Sequence, residues 1–161
     1  MIVLFVIGGF VDNLFPFPFC ASFFFFAIVD ERSYDEQLRL WDKRSLKATL
    51  GEAALGGGVW KLKWRPASSS SSSSSSAGGG EYHLLAAAMH NGFFLVDAAD
   101  HGRPRVGPRY VHGADSLAYG CDWCHAPSAS ASASAPQLIA TCSFYDRALH
   151  LWNWDGRWNT P

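Results

Sequence analysis

The sequence predicts an all-β chain built from a repeated hairpin, and three observations point there. Short runs alternate apolar and polar residues and end on Trp, as in Ala148-Leu149-His150-Leu151-Trp152. Turn signals such as Asn91-Gly92 and Asp146-Arg147 separate these runs. Seven Trp and twelve Phe are many for 161 residues, and Trp at regular strand ends suggests a repeat.

The chain in order supports that class. Residues 1–29 are strongly apolar, with Asp12 the only charge before Asp30. A signal peptide needs a positive amino end, and no Lys or Arg precedes Arg32. Asp12, Asn13, Pro16 and Pro18 interrupt any membrane-length run. Phe15 to Phe26 uses residues whose codons can be pyrimidine-rich, as sequence beside a splice acceptor would be. Residues 1–32 are therefore expected to be a gene-model artefact, with a membrane anchor as the alternative.

From Ser33 the character changes. Ser33 to Asp42 reads as a turn and an alternating strand ending Trp41-Asp42, and Lys43 to Gly58 as a polar, Gly-rich connection. Val59 to Trp64 alternates again and stops at Pro66. Its Lys61, Lys63 and Arg65 suggest one solvated basic face. The segment 67–80 holds an unbroken serine run and three glycines, a low-complexity loop. Leu84 to Ala88 is a strand, Asn91-Gly92 a hairpin turn and Phe93 to Asp97 the return strand. Asp100 to Pro108 reads as a loop and Ser116 to Trp123 as a strand. After a Ser/Ala loop at 126–136, Leu138 to Trp154 forms the last hairpin.

Three segments align without gaps: YDEQLRLWD (34–42), MHNGFFLVD (89–97) and YDRALHLWN (145–153). Removing the low-complexity insertions leaves a unit of roughly 40 to 45 residues, the period of a WD40-type β-propeller blade. Residues 33–161 then hold about two and a half blades of a larger propeller, which closes with about four to eight. A blade buries its faces against neighbours, so this fragment is expected to expose apolar faces and to aggregate alone.

Charge excludes some functions. The formal net charge is −1, and no basic excess argues for nucleic acid or a membrane surface. Cys20, Cys121, Cys124 and Cys142 are irregularly spaced and read as reduced thiols of an intracellular protein.

No Gly-x-Ser-x-Gly elbow and no His-Glu-x-x-His metal site occurs. His112, Ser143 and Asp146 invite a triad. WD blades, however, often carry a His before the first strand, a Ser or Thr in the second, an Asp in the hairpin turn and a Trp in the third. His112, Ser143, Asp146 and Trp152 fit those places in order, as a buried structural network. Asp35 and Trp41 take the same places in the first unit, while His90 and Val96 replace them in the middle one. Cys121-Asp122-Trp123-Cys124-His125 has metal-like spacing, but residues three apart on a strand point to opposite faces. No metal, no cofactor and no catalytic nucleophile is assigned.

The segments Gly57-Gly58-Val59-Trp60-Lys61-Leu62-Lys63-Trp64, Asp115 to Trp123 (DSLAYGCDW) and Ala140 to Trp152 (ATCSFYDRALHLW) resemble the closing blades of one WD-repeat family. That family is diphthine methyl ester hydrolase, also called diphthine methyltransferase. The resemblance covers about Ser33 to Asp155 without the two loops, and the last motif is its most specific part. It implies a cytoplasmic enzyme of diphthamide biosynthesis. Its protein substrate would be diphthine-modified elongation factor 2, from which it removes the methyl ester. A WD-repeat scaffold for protein–protein interaction, without chemistry, is the alternative.

Overall fold

A computed structural model describes residues 28–31, 34–42, 45–66, 82–100, 103–125 and 136–158. The segment before Ile28, the loop expected at 67–80 and all but Pro136 of the loop expected at 126–136 lie outside the described residues. The described residues form ten strands, β1 (Ile28–Glu31), β2 (Gln37–Asp42), β3 (Ser45–Ala54), β4 (Lys61–Trp64), β5 (His83–Ala87), β6 (Phe93–Asp97), β7 (Arg105–Tyr110), β8 (Ala118–Trp123), β9 (Gln137–Ser143) and β10 (Leu149–Trp154). They form three antiparallel sheets, β1-β2-β3, β4-β5-β6-β7 and β8-β9-β10. This is the arrangement of a partial β-propeller: one four-stranded unit between two three-stranded ones. No helix among the described residues is long and apolar enough to cross a membrane.

The aligned segments fall on equivalent strands, β2, β6 and β10. Their turns show why the pattern recurs. Asp35 Oδ1 accepts the Gln37 N–H at 3.1 Å, and Asp146 Oδ1 accepts the Ala148 N–H at 2.9 Å. The residue between, Glu36 or Arg147, is left-handed at φ +67° or +53°. An Asp side chain that bonds the backbone two residues on holds such a turn without glycine. In the middle unit a five-residue loop, Ala88 to Gly92, replaces the expected two-residue turn. There Gly92 takes φ +88°, and a Cβ would sit 2.6 Å from the Tyr110 carbonyl oxygen. Asn91 donates through Nδ2 to the Leu55 carbonyl, tying this loop to the chain leaving the first sheet.

Three stretches differ from the sequence reading. The connection expected over 43–58 contains β3, and the loop expected over 100–108 contains the start of β7. Both are edge strands, paired on one side only. Pro108 is tolerated in β7 because an edge strand does not need every N–H. Ile28–Glu31, placed with the amino-terminal segment, pairs in register with β2, from Ile28 opposite Asp42 to Glu31 opposite Arg39.

The core explains the unbroken apolar runs of β5 and β6. Alternate residues leave opposite faces of a strand. Leu84, Ala86, Phe94 and Val96 pack with Leu38, Leu55, Val59 and Leu62, between the first and middle sheets. Leu85, Ala87, Phe93 and Leu95 pack with Ala118, Cys121, Trp123, Ile139 and Trp154, between the middle and third sheets. The middle sheet is covered on both faces, so its strands cannot alternate with polar residues.

Candidate functional site

The connection from β7 to β8 carries His112 back over the third sheet. Its side chain is fully buried. The ring packs on Phe93 at 5.2 Å and stacks on His150 at 3.7 Å and 11°. His112 Nδ1 lies 3.0 Å from Asp146 Oδ2, and Nε2 lies 2.9 Å from Thr141 Oγ1. Trp152 donates its indole N–H to the same Thr141 oxygen at 3.2 Å. A carboxylate only accepts, so the ring donates from Nδ1 to Asp146. Its Nε2 bonds the Thr141 hydroxyl, whose oxygen accepts from Trp152. Tyr110 extends the cluster: its hydroxyl lies 2.8 Å from His150 Nδ1, and its ring stacks on Trp152 at 4.8 Å.

The structure thus brings His112, Asp146 and Trp152 together, and the hydroxyl that links them is that of Thr141, not Ser143. Thr141 and Ser143 leave the same face of β9. Thr141 lies opposite His150 in the ladder, directly beneath His112. Ser143 sits at the strand end, where its Oγ accepts the Leu117 N–H at 3.2 Å and bonds Asp146.

Carboxylate, imidazole and hydroxyl stand in the order of a nucleophilic triad. Thr141 is 1% exposed, however, and its oxygen already accepts from Trp152. No ester carbonyl reaches it in this arrangement. The Asp146 carboxyl is held below its ordinary value of 3.8, first by the Ala148 N–H and further by His112 and Ser143, against a smaller opposing effect of burial. A carboxyl with a depressed folded-state pKa contributes stability that is full above its unfolded value and is lost as pH falls through the folded one. Asp146→Asn is therefore expected to flatten the loss of stability below about pH 4, read as denaturation midpoint against pH.

In the first unit Asp35 holds the turn before β2 and pairs with Arg39, which also lies 3.8 Å from Glu52. Trp41 is half-buried. In the middle unit His90 is exposed at its turn, and Val96 is fully buried against the first sheet.

The Cys121 to His125 segment splits between environments. Cys121 is buried in the core, and burial, with a smaller contribution from Asp122, pushes its thiol up to about 12. Cys124 is exposed beyond the strand end, and His125 lies 3.5 Å from Asp122. Burial alone would raise the Asp122 carboxyl, but Lys63, the Trp123 N–H and His125 outweigh it and hold the group low. No group of three His, Cys, Asp or Glu among the described residues could hold a metal. The thiolate is the reactive form of cysteine. Iodoacetamide is thus expected to modify Cys124 in the folded chain and Cys121 only after denaturation, read by peptide mass spectrometry.

The basic face expected on β4 is half-exposed, and two of its cations have partners. Lys63 Nζ lies 2.8 Å from Asp122 Oδ2 of the third sheet, and the Lys63 carbonyl accepts the Trp123 indole N–H at 2.8 Å. Arg65 lies 3.1 Å from His83 Nδ1 and over the ring of Trp154. His83 itself is buried against Trp154 and Trp158.

Beside the His112 cluster the β9–β10 turn forms an open hollow of about 530 Å³, lined by Cys142 to Tyr145 and Arg147 to Leu149. It offers a thiol, a hydroxyl, a guanidinium and two exposed aromatic rings. Those rings end a row of contacts across the sheets: Tyr34 to Trp60 at 6.3 Å, Trp60 to Tyr119 at 5.4 Å, Tyr119 to Phe144 at 6.3 Å and Phe144 to Tyr145 at 5.6 Å. The sequence reading did not single this row out, because its members come from separate turns and strand ends.

No protein-family model matches the chain, and no solved structure does. The diphthine methyltransferase homolog of Dictyostelium discoideum is 36% identical over 126 residues, covering 74% of this chain and 30% of that protein. Diphthine methyltransferase of Schizosaccharomyces pombe is 30% identical over 119 residues, covering 74% and 31%. The human protein of that name is 26% identical over 205 residues, covering 77% and 43%. The chain spans less than half the length of these curated relatives. Relatives from slime mould, yeast and human agree in name and cover most of the chain, so the chain belongs to the diphthine methyltransferase family.

Proposed function

We propose that this chain is part of a WD-repeat hydrolase of diphthamide biosynthesis. It removes the methyl ester from methylated diphthine on elongation factor 2 in the cytoplasm, without a cofactor. The observation that carries this reading is the run of similarity to diphthine methyltransferases. In such a reaction water adds to the ester carbonyl, the acyl–oxygen bond breaks, methanol leaves and a carboxylate remains. The reaction needs a base and donors for the developing oxyanion. The hollow at the β9–β10 turn is the most suitable described place for a modified side chain, with Arg147 as a cation at its edge. Residues 33–161 act as the propeller part, with 67–80 and 126–136 as insertions between strands. The sealed His112–Thr141–Trp152–Asp146 cluster fastens the third sheet rather than cleaving the ester.

Deletion of the gene encoding this chain tests the reading. Accumulation of methyl-esterified diphthine on elongation factor 2 is expected, and normal diphthamide contradicts it. The exposed aromatic row favours a second reading, a docking scaffold without chemistry, because exposed aromatic surface commonly marks a protein contact. Under that reading deletion leaves diphthamide unchanged.

A further inference from the structure

Tryptophan rings meet different neighbours at the two ends of the sheets. Where β4 and β10 finish, two indole rings are each met by an arginine of the chain itself. Arg65 lies over the Trp154 ring at 5.7 Å, and Arg105 over the Trp158 ring at 5.2 Å. Where β4 and β8 begin, three rings meet and no arginine joins them. Tyr34, in the turn before β2, lies 6.3 Å from Trp60 at 66°, and Trp60 lies 5.4 Å from Tyr119 at 72°. Among the described residues no arginine or lysine lies over any of the three. Tyr34 is 75% and Trp60 37% exposed, and Tyr119 is half-buried.

The rings are held in place by the backbone around them. The Trp60 N–H donates to the Ala87 carbonyl at 2.8 Å, which extends the β4 ladder by one residue. The Met89 carbonyl accepts the Ala118 N–H at 2.8 Å, which fixes the strand beside Tyr119. Gly58 leaves room between the sheets: a Cβ there would lie 2.9 Å from the Met89 sulfur and 3.4 Å from the Tyr34 ring. The three rings thus come from three sheets and meet at the two junctions within the chain.

The cations of this end are used elsewhere. Lys61 leaves the other side of its strand from Trp60 and lies within electrostatic reach of Cys121. Arg109 donates to the Asn91 carbonyl at 2.9 Å, and Arg147 lines the hollow of the β9–β10 turn. Asp35 pairs with Arg39, whereas Glu36 and Asp115 are exposed carboxylates in the turns that lead into β2 and β8.

The face of an aromatic ring attracts a cation, arginine more often than lysine, and a planar guanidinium also stacks on it. We propose that the Tyr34–Trp60–Tyr119 surface docks an arginine-bearing segment of a partner protein. The guanidinium lies over the rings, with Glu36 and Asp115 as the carboxylates on its flanks. The contact repeats from outside what Arg65 and Arg105 do within the chain. It is separate from the hollow and holds whether or not an ester is cleaved there.

Fluorine NMR of the full chain carrying 5-fluorotryptophan tests this. Seven Trp give seven resonances, and Trp60→Phe identifies that of Trp60 by its loss. The probe is the peptide acetyl-Gly-Arg-Gly-amide. Its control carries citrulline in place of arginine, with the same shape and no charge. The expected result is a saturable shift of the Trp60 resonance by the arginine peptide in the millimolar range. Half-saturation by the citrulline peptide is expected at about three- to tenfold higher concentration. Tyr34→Leu and Tyr119→Leu are each expected to raise half-saturation by the arginine peptide about two- to fivefold. The remaining tryptophan resonances stay in place in these variants and report an intact fold. Equal half-saturation by the two peptides on the unaltered chain overturns the proposal, because the surface then reads shape and not charge. So does a Trp60 resonance that neither peptide shifts.

Discussion

Phe93→Ala is expected to destabilise the chain by about 3–5 kcal/mol, the largest effect of any single truncation considered. Phe93 is 1% exposed and lies where the middle and third sheets meet. It stands opposite Ala87 and Tyr110 in the ladders of β6, and its ring packs on His112 at 5.2 Å. Ala87 is too small to move into the space, and Tyr110 is held by His150 and Trp152. The cavity thus stays open beneath the histidine. Single domains are stable by about 5–15 kcal/mol, so the loss is a large fraction of the whole. The urea midpoint of unfolding, followed by tryptophan fluorescence, checks it; a change below about 1 kcal/mol would mean that the sheets do not share this core.

The second large effect is expected at Thr141. Thr141→Val keeps the volume and the β-branching but removes the one oxygen that serves two partners. The Trp152 indole N–H loses its acceptor and His112 Nε2 loses its partner. Each buried polar group left unpaired costs about 1–3 kcal/mol, so about 2–6 kcal/mol is expected in sum. Ser143→Ala is expected to cost less, about 1 kcal/mol, because Leu117 is half-buried and Asp146 exposed. Denaturation midpoints of the two variants, measured side by side, check the ranking.

The strands that carry the repeat are legible because two independent signals coincide. Alternation marks β2 and β10, and an Asp that caps its own turn marks their starts. β3 and β7 are not legible, and the reason is physical. Ser45–Ala54 and Arg105–Tyr110 contain Gly, Pro and charge without a steady alternation. They are extended because β2 and β6 present unpaired backbone groups to them, a tertiary cause that outweighs local preference. The middle sheet is legible as strands but not as the centre of a stack, since an apolar run shows only that both faces are covered.

The cluster around His112 is legible in its residue types and not in its wiring. His, Asp and Trp stand at places that suit one another, whereas Thr141 and Ser143 offer the same hydroxyl on the same face. Only the register of β9 against β10, with Thr141 opposite His150, decides which of them meets the histidine. Tyr110 and His150 are missed for a similar reason, since their contact depends on how two sheets approach. Trp158 lies beyond the last strand and packs where Gly107 leaves room: a Cβ there would lie 2.3 Å from its ring. Nothing in the local sequence marks that pairing.

The separation of fastening from chemistry is tested most directly in cells that lack the gene. They are supplied with the protein carrying Thr141→Val and grown at low temperature, where the weakened fold is still populated. The diphthine on elongation factor 2 is then read by mass spectrometry. The expected result is normal removal of the methyl ester together with a lowered melting temperature of the variant. Persistence of the methyl ester with an unchanged melting temperature would contradict it, and would make the buried hydroxyl part of the reaction.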